Sequence, residues 1–221
     1  MVKSLRESKA KLSELVDLAR ARKLQFRFEG TVMSGTPMLS FGMKNLAGCE
    51  ISEIRGIFNG TTNFILTEME KGQAYAEALK KAQELGYAEA DPTGDVEGFD
   101  TMGKVLILSN VFMGGVMRKE EIARKGITAL TPEDITRAAA EGKRWKLIGS
   151  VRREGGKVVG SVGPQALPLT NPLTSVMGAT NAAQFATDLL GEVTVVGAGA
   201  GRRETGFAIL ADLLDIHRTI G

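Results

Sequence analysis

Carboxylates and one lysine crowd a short stretch of this 221-residue chain: Glu89, Asp91, Asp95, Glu97, Asp100 and then Lys104. Lys104 follows Asp100 by four positions, so a helix beginning near Glu97 to Asp100 would put both on one face, close enough to pair. The residues after it, Val105, Leu106, Ile107 and Leu108, are all apolar. Lys104 therefore enters a largely buried helix at its polar mouth. There, desolvation lowers an amine's pKa and a neighbouring carboxylate raises it, a balance suited to proton transfer. Two blander chemistries compete. An Asp-Lys pair at helical spacing is usually a surface ion pair worth about 0.3–0.5 kcal/mol. Carboxylates on a loop can also bind calcium or magnesium, although Pro92 and Val96 interrupt the alternation that an EF-hand loop requires.

These side chains need a scaffold to position them. Residues 7 to 23 set Leu12, Leu15, Val16 and Ala19 on one stripe opposite charge, which predicts a surface helix. Gln25 to Val32 alternates Phe26 and Phe28 with Arg27 and Glu29 before Ser34-Gly35-Thr36-Pro37, which predicts a strand ending in a tight loop. Pro37 suits the first turn of a helix through Leu39, Met43 and Leu46. A second strand is expected over Ile51 to Phe58, closed by a turn at Asn59-Gly60, after which Thr61, Thr62 and Asn63 can cap a helix from Phe64 to Glu70. Further helices are expected over Ala74 to Leu85, Thr101 to Phe112, Pro132 to Gly142 and Glu204 to Arg218. A hairpin should join Lys143–Arg153 to Lys157–Gln165, and strands are expected at Met177 to Thr180 and Glu192 to Val196. Helices and strands interleave without a regular βαβ cadence. The fold class is therefore α+β: one mixed β-sheet with helices packed on one face, the other face open for a partner.

Composition narrows the function. Twenty-eight basic and 26 acidic residues give a net charge of +2, too small and too mixed for a nucleic-acid or membrane-surface partner. A small molecule or another protein is expected instead. Cys49 is the only cysteine, which rules out an intramolecular disulfide or a two-thiolate zinc site from one chain. With no signal-peptide pattern and no long apolar run, a soluble, cytoplasmic protein is expected. His217 is the only histidine and lies in an amphipathic stretch, which argues against a Ser-His-Asp or Cys-His centre. Gly197-Ala198-Gly199-Ala200-Gly201 before the last helix could approach a phosphate, but it does not complete GxGxxG; Arg202 and Arg203 follow it.

Three segments together resemble a known family: Asn59-Gly60-Thr61-Thr62-Asn63-Phe64-Ile65-Leu66, Leu85-Gly86-Tyr87-Ala88-Glu89-Ala90-Asp91-Pro92, and Asp95-Val96-Glu97-Gly98-Phe99-Asp100 with Lys104. They look like the signature of homoserine dehydrogenases. The resemblance continues through Gly126-Ile127-Thr128 and Thr194 to Gly201, and spans residues 24 to 218. It implies NADPH- or NADH-dependent reduction of L-aspartate 4-semialdehyde to L-homoserine, on the route to threonine, methionine and isoleucine. It also implies residue roles. Glu89 would bind the substrate amino group, Thr61 would contact the substrate, Asp95 and Asp100 would order the site, and Lys104 would protonate the developing alkoxide. Gly201 would touch the cofactor. Glu29, Val32, Ser34 and Thr36 match positions that hold a sodium ion through one carboxylate and backbone carbonyls, with Met33 and Ser34 standing where the family has glycines. A homodimer is implied as well.

The same resemblance places a nucleotide-binding domain ahead of this one, and nothing in the first 24 residues matches its fingerprint. Residues 1–24 then read as a helical lead-in, a remnant of that junction, and 25–221 as the substrate-binding, catalytic and dimerisation domain, completed by a separate nucleotide-binding domain. The alternative is a stand-alone homoserine- or semialdehyde-binding or oligomerisation module without catalytic activity.

Overall fold

The computed structural model describes residues 9–114 and 117–220. The first eight residues of the lead-in lie outside the described residues. Helix α1 (Lys9–Ala21) follows the expected stripe in part: Leu12 is buried in the core, Val16 packs on its edge, and Leu15 is exposed. A short helical turn α2 (Met38–Ser40) runs on into a π-turn over Phe41–Asn45.

The expected strand at Gln25 to Val32 does not form. That segment is irregular and ends in a 3-10 turn at Glu29–Thr31, closed by Thr31 donating to the Phe28 carbonyl from both its backbone N–H and its hydroxyl. The alternation of apolar and charged residues is real, but what it records is a chain with different surroundings on its two sides. The C-terminal helix α8 (Arg202–Ile220) runs alongside it, where a neighbouring strand would have been needed. Arg27 Nε reaches Asp215 at 2.7 Å, and Ser34 meets Thr205. A Cβ at Gly35 would lie 2.7 Å from the Glu204 carbonyl oxygen.

The sheet has six strands in the order β2-β4-β3-β1-β5-β6: β1 (Ile51–Ile57), β2 (Ala123–Arg124), β3 (Lys143–Glu154), β4 (Lys157–Pro168), β5 (Thr180–Thr187) and β6 (Gly191–Ala198). Among the described residues only β2 and β4 run parallel. The β3–β4 hairpin turns at Gly155 and Gly156, both with positive φ, the geometry of a two-residue type I′ turn. Strand β5 lies three residues beyond the start of the expected Met177 to Thr180 strand. Asn181, Ala182, Ala183 and Gln184 have weak strand propensity, and pairing with β1 on one side and β6 on the other outweighs it.

Helices α3 (Gly60–Glu70), α6 (Phe99–Phe112) and α7 (Pro132–Ala140) pack against the sheet, and α4 (Tyr75–Glu84) packs on α3. Ile54, Val151 and Phe185 sit in register across β1, β3 and β5, and belong to the main core with Phe58 and Val105. At the alternate positions, Arg55 donates to Gln184 and Ser150 to Glu53, so this face carries a polar network. Gly149 admits α6 closely, because a Cβ there would meet Thr101, Phe58 and Val105 at 3.0 Å or less. Residues Val105 to Ser109 of α6 are all buried, as the unbroken apolar run requires. Among the described residues no helix is long and apolar enough to cross a membrane.

Candidate active site

The acidic run folds back over the start of α6. Residues 85 to 92 form its outer strip, the short helix α5 (Thr93–Val96) follows, and Gly98, in the left-handed region with φ 78°, turns the chain into α6. Gly126 and Ile127 clamp this turn from outside. Ile127 N–H donates to the Val96 carbonyl, and a Cβ at Gly126 would lie 2.4 Å from the same oxygen. Glu97 is held there too, accepting a hydrogen bond from the Thr128 hydroxyl. The rest of the run divides in the same way, since Asp91 accepts the Thr93 N–H in a local turn.

Lys104 and Asp100 do pair, at 2.6 Å, and their side chains are only 8% and 10% exposed. The surface ion-pair reading therefore fails. Lys104 Nζ also donates to the carbonyl of Phe58, at the end of β1. Two of its three N–H groups are thus directed by the fold. Asn59 closes the arrangement: its Nδ2 donates to Asp95 at 2.6 Å and to Asp100 at 3.0 Å, while its Oδ1 accepts from the Thr62 N–H and caps α3. Burial pushes the Asp95 carboxyl above its usual range and the nearby Asp100 charge adds to this. The hydrogen bond from Asn59 and the charge on Lys104 act against it.

A cleft of about 1390 Å³ opens above these groups. Thr61, Glu89, Asp95, Asp100, Lys104 and Gly201 all line it, so residues far apart in the chain share one wall system. Their states differ. Glu89 is exposed at the rim, and its backbone carbonyl is tied by Gln83. Thr61 gives its hydroxyl proton to the Tyr87 carbonyl at 2.6 Å, anchoring the outer strip. Gly201, with φ 133°, lies at the end of the glycine-rich segment, where a Cβ would run into Glu204 at 1.9 Å. Arg202 and Arg203 are exposed.

Glu29, Val32, Ser34 and Thr36 are all buried, on a loop beside α8. The Glu29 carboxylate accepts N–H bonds from Leu39 and Ser40 at 2.8 and 2.7 Å, so it caps the start of α2. Burial, offset in part by these bonds, raises its pKa. The Thr36 carbonyl accepts the Met38 N–H, and the Thr36 hydroxyl donates to Ala198. Among the described residues no group of three or more His, Cys, Asp or Glu side chains could hold a metal ion. A carboxylate with backbone carbonyls remains a donor set suited to a hard monovalent cation.

Asn59, expected only as a turn former, is the N-cap, and α3 starts at Gly60, four residues ahead of the expected Phe64 and its expected caps Thr61, Thr62 and Asn63. Its signal lay in the Asn59-Gly60-Thr61-Thr62 cap, which fixes the orientation of one amide oxygen and so of the amide nitrogen.

The chain is similar to proteins of one known family. The family model described as homoserine dehydrogenase matches residues 37–214. An NAD(+)-dependent homoserine dehydrogenase of Pseudomonas canavaninivorans is 49% identical over 208 residues, covering 94% of this chain and 59% of that protein. The crystal structure of a homoserine dehydrogenase from Thiobacillus denitrificans superposes with a TM-score of 0.90 at 40% identity, covering 95% of this chain and 49% of that one. A hyperthermophilic archaeal homoserine dehydrogenase mutant in complex with NADPH superposes at 0.80 with 35% identity, covering 93% and 60%. The chain thus spans about half to three fifths of the length of these proteins. With the match running through the fold and through every segment that builds the cleft, the chain belongs to the homoserine dehydrogenase family.

Proposed function

We propose that this chain supplies the substrate-binding and proton-transfer site of a homoserine dehydrogenase that reduces L-aspartate 4-semialdehyde to L-homoserine. The observation that carries this reading is the buried Lys104 ammonium, held between the Asp100 carboxylate and the Phe58 carbonyl at the cleft wall. A nicotinamide cofactor, NAD or NADP, supplies the hydride when bound. Reduction of an aldehyde builds negative charge on the carbonyl oxygen, which needs a proton donor within hydrogen-bond reach. Lys104 has one N–H beyond the two directed inward, and it gives that proton to the oxygen. Asp100 keeps the amine oriented through their 2.6 Å ion pair. Glu89, exposed at the rim, binds the substrate ammonium. Thr61 and Asp95 complete the floor, and Gly201 lets the cofactor approach the backbone.

Glu29, with the carbonyls of Val32, Ser34 and Thr36, would hold a sodium ion that braces this loop against α8, with no part in proton transfer. The enzyme is proposed to work as a homodimer, and a nucleotide-binding domain such as the resemblance implies would complete the cofactor site.

The test is turnover of aspartate semialdehyde with NADH or NADPH, by the chain alone and together with a nucleotide-binding domain. Lys104→Ala should abolish the rate while L-homoserine affinity stays within a few-fold. Wild-type turnover in that variant removes Lys104 from the mechanism. Glu89→Gln should weaken homoserine binding in calorimetry, and unchanged affinity sinks its role.

A further inference from the structure

Lys146, on β3, is 1% exposed, yet the proton-transfer chemistry does not use it. Among the described residues its ammonium touches no carboxylate. Nζ donates to Asn63 Oδ1 at 2.9 Å and to the Val176 carbonyl at 2.6 Å, and lies 3.6 Å from Met177 Sδ. Asn63 carries the contact onward. Its Nδ2 donates to the carbonyls of Val176, Gly178 and Thr180, and Thr67 accepts the Gly178 N–H. The whole segment 176–180 therefore hangs from three buried side chains. A buried charge held only by neutral oxygens is costly, and burial pushes the Lys146 ammonium down to about 8, with Arg144 adding and Glu70 opposing. Those two charges are themselves paired at 2.7 Å. Packing alone would be served as well by a methionine.

The held segment is one wall of the cleft. Ala179 and Thr180 line it opposite Gly60 and Thr61. The Ala179 carbonyl approaches so closely that a Cβ at Gly60 would lie 2.6 Å from it. Thr180 also starts β5 in register with Ala198 of β6, which leads into Gly199 to Gly201. A shift of this segment would move the substrate floor and the glycine-rich edge together.

We infer that Lys146 is a positioning residue for the substrate site, its charge gripping segment 176–180 through Val176 and Asn63 so that Ala179 and Thr180 hold Gly60 and Thr61 in place. The role rests on the function proposed above. It also predicts an unusual pair of trends: raising the pH through 8 relieves the cost of burying the charge, yet weakens the grip.

Hydrogen exchange and L-homoserine calorimetry on the chain and its Lys146→Met variant test this. The variant should melt no lower than wild type. Its amides at 176–180 and 61–62 should exchange at least about tenfold faster at pH 7, and homoserine affinity should fall by a similar factor, the loss expected for hydrogen bonds from a charged donor. Lys146→Gln, which keeps a donor without the charge, should fall between. From pH 7 to 9 wild-type affinity should decline more steeply than that of Lys146→Met, which shares the ligand's own ammonium titration. Unchanged local exchange and affinity in the variant overturn the inference. If wild type binds no homoserine, the substrate reading fails, and the exchange comparison alone still decides whether Lys146 holds the wall. Should the variant not fold, wild-type exchange at 176–180, corrected for base catalysis, must accelerate from pH 7 to 9 relative to β4 amides; parallel rates reject the grip.

Discussion

At the scale of single residues, the chemistry turns on how two carboxylates tolerate burial side by side. Asn59 offers one amide nitrogen to both Asp95 and Asp100, and Lys104 supplies the charge that Asp100 needs. Replacing Asn59 with Leu leaves both carboxylates short of a donor and α3 without its cap. A loss of about 2–4 kcal/mol in denaturant unfolding is expected, larger than either fault alone. The raised Asp95 carboxyl gives a second expectation with a definite sign. Because its folded pKa lies above the unfolded value, the native state takes up this proton more readily, so protonation of Asp95 on acidification opposes unfolding. Homoserine binding should therefore fail at a higher pH than the fold does. Paired titrations of affinity and of circular dichroism would show this, and coincident acid limbs would refute it.

At the scale of elements, the loop from Glu29 to Thr36 is defined by what it leans on. Glu29 caps α2, Asp212 on α8 accepts the Glu29 N–H, and Asp215 gathers Arg27 and Lys44. Burial raises both Glu29 and Asp212. Two partly buried acids thus face the same loop, an electrostatic setting that a cation would relieve. Sodium chloride should therefore raise the melting temperature more than choline chloride at equal ionic strength, and Glu29→Gln should erase that difference while costing about 1 kcal/mol as a weakened cap. Equal salts in wild type would leave Glu29 with the capping role alone. The element boundaries were legible wherever a local device set them. The start of α7 at Pro132, capped by Thr131, and the glycine pair between β3 and β4 are cases in point. They failed at Gln25 to Val32 and at Met177 to Thr180, where the deciding partner is distant: α8 in one case, β1 and β6 in the other.

At the scale of the whole molecule, α8 leaves Phe207, Ile209, Leu210, Leu213 and Leu214 each at least 45% exposed. An apolar surface of that kind is uncommon on an isolated soluble domain. The 221-residue chain by itself should self-associate with rising concentration in sedimentation experiments. Leu210→Lys with Leu213→Lys should suppress this while leaving circular dichroism unchanged; a monomer at all concentrations in wild type would contradict the expectation.

Sequence by itself determined the Asp100–Lys104 pair, the glycine-turned hairpin between β3 and β4 and an α+β chain. Each depends on residues within a turn or two of one another, where spacing fixes geometry. The match of motifs identified the family for the same reason. Tertiary structure alone decided that the pair is buried, that Asn59 joins Asp95 to Asp100, that Phe58 directs the amine, and that Lys146 is sealed among neutral oxygens. Desolvation depends on everything packed around a group, much of it distant in sequence. Spacing along the chain could bring the acid and the lysine together, but only packing could remove the water that would otherwise reduce them to a weak surface pair.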